Sequence, residues 1–389
     1  MLPLEALLRD AQALGNGGVV PAPPMSAAET ELERQLQICN ACRYCEGYCA
    51  VFPAMTRRLA FGRADLHYLA NLCHNCGACL HACQYAPPHE FAVALPQTLA
   101  ELRGQTYADY AWPPPLGRLY QRNGLTLALA LAFGLALFLV LAAARQGTLW
   151  GAPASGFYAI FPHGLMVSLF LPVFAFAVLA LAIGVTRFWR LAPPGESTAP
   201  ALREAAANTL TLKYLDGGHG QGCNESDERW TKQRRACHHA AFYGFMLCFA
   251  ATSVATVYHY GFGWPAPYAW LSLPKLLGTA GGLLLVLGAG GLLRLRLLRH
   301  PQHALAAQRP PDLGFITLLL LTGASGLALA LARHSAALPL LLCLHLGAVM
   351  AFFATMPYGK FAHGVYRAAA LLKWAIERRL PTRLRLGAD

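Results

Sequence analysis

From Leu125 onward the chain is dominated by long apolar runs that polar connections interrupt at near-regular intervals. Six runs approach or exceed the ~20 residues needed to cross a bilayer: 125–144, 164–188, 239–260, 273–293, 313–332 and 338–357. A buried soluble core does not call for such lengths, so the pattern predicts six transmembrane helices. Before residue 124 the pattern is different. Residues 1–30 read as a leader, with a modest amphipathic helix and a Gly-Asn-Gly-Gly and Pro-rich joint. A second helix then opens at Ser26, with Glu29 at capping-box distance. Residues 31–99 form a compact cysteine-rich domain. Residues 100–123, with Pro113, Pro114 and Pro115, read as a stiff tether to the first span. Segments 124–190 and 237–365 carry spans one and two, then three to six. They flank a loop at 191–236 that reads as an irregular lid, and a basic tail at 366–389 closes the chain.

Composition agrees with a membrane protein. Of 389 residues 56% are hydrophobic and 13% charged, against about 25% charged in ordinary soluble domains. The net charge of +12 gathers in alternate connections: Arg118 and Arg122, Arg187 and Arg190, Arg229 to Arg235, Arg294 to Arg299, and the tail from Arg367 to Arg385. The opposite connections hold chiefly Arg145 and Arg333. The positive-inside rule then places both termini and the cysteine domain in the cytoplasm, with the spans in the inner membrane. No basic stripe is interleaved with exposed aromatics, which argues against a nucleic-acid partner.

The chemistry is concentrated in the cysteines. Eight of the twelve form one spacing twice: Cys39, Cys42, Cys45, Cys49 and Cys73, Cys76, Cys79, Cys83. Three cysteines at i, i+3 and i+6 wrap a loop around one [4Fe-4S] cube, and in two-cluster ferredoxins the fourth ligates the other cube. The expected sets are therefore Cys39, Cys42, Cys45 and Cys83 on one cube, and Cys73, Cys76, Cys79 and Cys49 on the second. Pro53 and Pro87 follow the motifs at equal offsets, and Ala41, Gly47, Gly77 and Ala78 let backbone amides approach the sulfurs. Disulfides would need an oxidising compartment, which the lack of a signal-peptide pattern argues against. Structural zinc usually uses separated ligand pairs. The fold class expected is an all-α polytopic membrane bundle with an N-terminal dicluster ferredoxin-like domain.

Histidine within a bilayer is costly and points to function. His345 and His363 are eighteen residues apart, five helical turns, so both project from one face about 27 Å apart. The third span carries His238 and His239 at one end and His259 at the other. We expect b-type haem, one or two, ligated by His239 with His363 inside and His259 with His345 outside. Helical phase keeps His238 open as a substitute, being about 60° from His259 against about 160° for His239. His163, at the start of the second span, is the substitute for His259. Lys360 and Tyr358 are candidates to hydrogen-bond a quinone. Cys248 and Cys343 read as packing residues, and Cys223, His219, Cys237 and His238 are too irregularly spaced for a persuasive third metal site. The glycines from Gly278 to Gly291 suit close helix packing.

The run His345-Leu-Gly ending Met356-Pro357-Tyr358-Gly359-Lys360-Phe361-Ala362-His363 resembles the last haem-binding helix of respiratory nitrate reductase gamma subunits and heterodisulfide-reductase membrane subunits. Residues 30–380 resemble the tricarballylate utilisation protein B (TcuB, or CitB) family, in particular Gly222-Cys223-Asn224, Asp227-Glu228-Arg229, Arg234-Arg235 and His238-His239 through Phe245. The resemblance implies an electron-transfer subunit that reoxidises the reduced FAD of a partner tricarballylate dehydrogenase and passes electrons to a membrane quinone. Citrate or another polycarboxylate is the alternative pathway. A transporter would leave the cysteine repeat unemployed, and a redox sensor would need an output domain that the sequence does not display.

Overall fold

The computed structural model describes residues 24–122, 124–151, 156–191, 195–218, 220–303 and 305–381. The amphipathic helix and Gly-rich joint expected before residue 24, His219, and the end of the basic tail lie outside the described residues. The fold is nearly all helical, with one two-stranded ribbon.

The cysteine domain is built on short helices. α1 (Ala27–Cys42) opens on the expected capping box: Ser26 Oγ accepts from the Glu29 N–H at 3.2 Å, and the Glu29 carboxylate accepts from the Ser26 N–H at 2.6 Å. α2 (Val51–Met55) follows the first cysteine motif, α3 (Arg63–Leu72) delivers Cys73, and α4 (Ala78–His81) lies within the second motif. α5 (Leu95–Asp109) closes the domain. Leu32, Leu36, Leu66, Leu69, Leu99 and Leu102 form its sealed centre.

The expected tether at 100–123 is instead helical. α5 runs through half of it because Leu99, Leu102 and Tyr107 are buried in the domain core. α6 (Pro114–Arg122) then starts on proline, whose fixed φ and missing N–H suit a first helical turn.

Six helices are long and apolar enough to cross a membrane. They are α7 (Leu125–Gln146), α9 (His163–Arg190), α11 (Gln233–Phe262), α12 (Leu273–Leu298), α13 (Arg309–Leu331) and α14 (Leu338–Thr355); the short α8 (Phe157–Ile160) precedes α9. In α14 56% of the apolar window is buried, against 11–28% in the others, so α14 is the hub and the rest turn leucine and phenylalanine outward. Outward apolar surface on this scale belongs in lipid. Trp150, Trp264, Trp270 and Tyr260 are exposed at the span ends remote from the cysteine domain, the position of an interfacial aromatic belt.

α11 and α12 touch backbone to backbone. A Cβ on Gly288 would lie 2.2 Å from the Ala241 nitrogen, and one on Gly244 would lie 2.4 Å from the Leu285 nitrogen. Small residues are what permit such an approach between membrane helices. Gly288→Leu is therefore expected to wedge the pair apart, at a cost of at least about 1–3 kcal/mol, seen as a lower thermal midpoint in detergent than Gly290→Leu gives; the Gly290 Cβ position is open.

One further expectation is overturned. The 191–236 insert is not an irregular lid. It holds α10 (Ala199–Leu210), capped by Thr198, and the ribbon of β1 (Cys223–Asn224) and β2 (Trp230–Thr231), paired antiparallel. Ala201 and Ala205 bury against Ala375 and Ile376, which gives α10 its reason to fold. The basic tail begins in a packed helix. α15 (Ala362–Glu377) buries Tyr366, Ala370, Leu371 and Trp374 in the same core as α1, α3 and α5. Arg58 bridges Asp65 at 2.7 Å and Glu377 at 2.5 Å, so the cysteine domain and the last helix share one interior. That domain lies on the arginine-rich ends of the spans, where Arg187 donates to the Ala111 carbonyl at 2.9 Å and Arg367 to the Cys73 carbonyl at 2.7 Å.

Candidate functional site

Two cavities open in the cysteine domain, and the eight cysteines divide between them. The outer is lined by Cys39, Cys42, Cys45 and Cys83, with Arg43, Tyr44, Tyr85 and also Cys79 at its wall. The inner and tighter one is lined by Cys49, Cys73, Cys76 and Cys79, with Tyr48, His74 and Tyr214. Cys49 and Cys83 have each crossed to the other motif's cavity. The local frame is helical: α1 ends on Cys42, Cys73 caps the end of α3, and α4 carries Cys79, with Cys83 two residues past its end. Gly77, at φ +88°, makes the turn between them, and a Cβ there would lie 2.6 Å from His303 Cε1.

The thiols are electrically crowded. Burial pushes Cys39 up to about 12, with Cys83, Cys45 and Cys42 adding to the rise. Burial likewise lifts Cys76 to about 11 and Cys49 and Cys79 well above the ordinary range. Four thiolates in one buried wall are tenable only around a strongly cationic centre. None of the twelve cysteines is in a disulfide. Among the described residues no three cysteine, histidine or carboxylate groups converge closely enough for one metal ion. Each set is instead spread around a cavity, a donor arrangement that suits a polynuclear iron–sulfur core.

The histidines are placed differently from their expected pairs. The ring beside His363 belongs to His238, not His239, with centroids 5.9 Å apart; His239 turns instead toward Tyr243 at 5.8 Å. Adjacent helical residues diverge by about 100°, so only one of the two can face α15. His363 Nδ1 bonds the Lys360 carbonyl, which leaves Nε2 for a ligand, and His238 Nδ1 is buried with no hydrogen-bond partner. A ligating histidine held through its other nitrogen by a backbone carbonyl is the usual second-shell arrangement, so this pair suits one b-type haem.

At the opposite end His259 stacks on His163 at 3.9 Å, not on His345. His163 has both ring nitrogens engaged, by Tyr260 at 3.0 Å and Tyr158 at 3.3 Å, while His259 Nδ1 is buried without a partner. His345 faces α13, where its Nδ1 meets Ser325 Oγ at 3.1 Å and Gly326 leaves room for its ring. His345 lies about 10 Å in from the start of α14, deeper than the end of α11 that carries His259.

The remaining candidates have partners within the chain. Lys360 Nζ pairs with Asp312 at 2.8 Å and Tyr358 donates to the Trp112 carbonyl at 3.0 Å. Cys223 donates to the Leu215 carbonyl at 3.2 Å and Cys343 to the Phe138 carbonyl at 3.3 Å.

Sequence reasoning passed over the groups that grip the inner cysteine turn. The Cys73 carbonyl accepts from Arg103 at 3.0 Å and Arg367 at 2.7 Å, the Cys76 carbonyl from the Asn224 N–H at 3.0 Å, and the Asn75 carbonyl from Arg299. Arg299 and Arg367 were legible only as topology charges. Asn224 lies in the Gly222-Cys223-Asn224 run, a signal available in the sequence.

Six membrane-length helices with an appended domain that presents eight cysteines around two cavities define a polytopic membrane protein with a ferredoxin-like domain. The family described as "Citrate utilization protein B" matches residues 118–383, and its "Fer4-like domain" matches residues 32–109. The chain belongs to this family. It is similar to "Citrate utilization protein B" of Escherichia coli, 57% identical over 362 residues that cover 93% of this chain and 96% of that protein. No solved structure matches it.

Proposed function

We propose that the chain is a membrane electron-transfer subunit that reoxidises the FADH2 of a partner flavoprotein dehydrogenase of the tricarballylate type and delivers the electrons to the quinone pool. Its cofactors on this reading are two [4Fe-4S] clusters and one or two b-type haems. The observation that carries it is the crossed division of eight cysteines between two neighbouring cavities, on the same end of the bundle as the His238–His363 pair.

When bound, these groups supply one-electron carriage, which a two-electron flavin donor needs. The chain itself orders the sites. The outer set opens beside Tyr44, 68% exposed, where a docking protein can reach it. The inner set packs against β1, where Cys223 meets Cys76 and the Asn224 N–H bonds the Cys76 carbonyl, and it is lined by His74. His238 and His363 hold the haem nearest this domain, and His259 with His163 or His345 would hold a second. The positive-inside pattern places the cysteine domain and both termini in the cytoplasm and the spans in the inner membrane. The name of the Escherichia coli relative favours citrate as the pathway substrate over tricarballylate; the relay is the same for either.

The test is anaerobic mixing of the purified protein with the reduced flavoprotein, followed by addition of quinone. Haem absorption should shift to the reduced form and return when quinone is added. Haem that dithionite reduces but the flavoprotein does not would refute the assignment.

A further inference from the structure

We infer that Arg103, Arg299 and Arg367 form a cationic cradle that raises the reduction potential of the inner cluster, with Arg367 joining that site to the His238–His363 pair. The inference rests on the electron-transfer reading above.

Three guanidinium groups from three parts of the chain converge on one four-residue turn. Arg103, on α5, donates to the Ala70 and Cys73 carbonyls, both at 3.0 Å. Arg367, on α15, reaches the same Cys73 oxygen at 2.7 Å. Arg299, just past α12, donates to the Asn75 carbonyl and, through Nε, to His303 Nδ1 at 3.0 Å. Arg103 is 6% exposed and the Nε of Arg367 is sealed from solvent.

Among the described residues none of the three is in a salt bridge. Glu225, the carboxylate that faces Arg299, is already held by Arg234, with Nε to Oε1 at 2.5 Å. Burial lowers Arg367 to about 10, with Arg103 adding to the fall, and burial lowers Arg299 to about 9, with Arg234 adding. Buried cations that repel one another and lack carboxylate partners suit an anionic group at their centre.

Among the described residues the outer site has no such surround. Arg43 stands at its open wall, its Nε given to the Asn40 carbonyl at 3.2 Å, where solvent screens charge. Reduction adds negative charge to a cluster, so burial alone would make the inner site the harder to reduce. Fixed cations in low dielectric act in the opposite direction, and more strongly than surface ones. The cradle thus gives the inner site a pull for electrons from the outer. Arg367 lies one helical turn beyond His363 on α15, so the same turn of helix carries the histidine and the guanidinium that reaches the Cys73 carbonyl.

EPR-monitored redox titration of the full chain in detergent, comparing wild type with Arg367→Gln and Arg367→Lys, tests this. The glutamine variant should shift one of the two cluster couples to lower potential and leave the other in place, while the lysine variant stays near wild type. Both couples unmoved, or both moved together, in a glutamine variant with wild-type iron and sulfide would overturn the cradle. Should Arg367→Gln lose iron, Arg299→Gln decides by the same criterion. Wild-type protein devoid of iron and labile sulfide would instead sink the electron-transfer reading itself.

Discussion

Replacing Cys76 with serine is expected to abolish reduction of the haem by the flavoprotein while leaving haem binding unchanged. The thiol of Cys76 lines the inner cavity and its backbone carbonyl is pinned by the Asn224 N–H at 3.0 Å. The loop should therefore keep its shape while one of four ligands turns from soft sulfur to hard oxygen. Loss of an outer-shell partner typically costs 10–100-fold in metal affinity or activity, and loss of a direct ligand should exceed about 100-fold in the rate of haem reduction. On the proposed reading the haem would be held by His238 on α11 and His363 on α15, which the substitution does not touch. Cys343→Ser is the control, since that thiol is buried among apolar side chains in the hub helix and donates to the Phe138 carbonyl. Stopped-flow reduction with the flavoprotein as donor, beside dithionite as a bypass, reads both outcomes. Unchanged flavoprotein-driven kinetics in Cys76→Ser would remove the inner site from the route.

His238→Ala is expected to lose the haem nearest the cysteine domain, whereas His239→Ala keeps it. The two residues are neighbours in sequence and each has a buried ring nitrogen without a hydrogen-bond partner, but only the His238 ring meets that of His363. His239 packs beside Tyr243, whose hydroxyl donates to the Leu210 carbonyl at 2.8 Å on the outward side of α11. Haem per chain by pyridine haemochrome, with low-temperature EPR for the low-spin bis-histidine signal, separates the cases. His363→Ala should match His238→Ala, as removal of either partner breaks the same ligation. A His239→Ala protein that loses haem while His238→Ala retains it would return the assignment to the pairing that helix ends alone suggest.

The contrast between those two histidines shows where the sequence was readable. Span number and position follow from apolar length, which the bilayer fixes, so 125–144 was read within two residues of the observed Leu125–Gln146. The two-cluster ferredoxin rule is what led to the expectation that Cys49 and Cys83 each serve the other motif's cube, and the two residues line the corresponding cavities. Rotational phase was less legible. His238 and His239 differ only in the direction each faces, which packing of α11 on α12 through Gly244 and Gly288 decides. The packing of the tail was not legible, because the helical face of Tyr366, Ala370, Leu371 and Trp374 that buries its start has no partner visible in local sequence. The arginine cradle was hidden for the same reason: Arg103, Arg299 and Arg367 are nearly 200 and 70 residues apart in succession and meet only in the fold.

The most direct test is the iron and acid-labile sulfide content of anaerobically purified protein, taken with zinc on the same sample. Two cubes predict about eight non-haem irons and about eight sulfides per chain, falling to roughly half in a variant that loses one of the two cubes. Stoichiometric zinc with no labile sulfide would contradict the account.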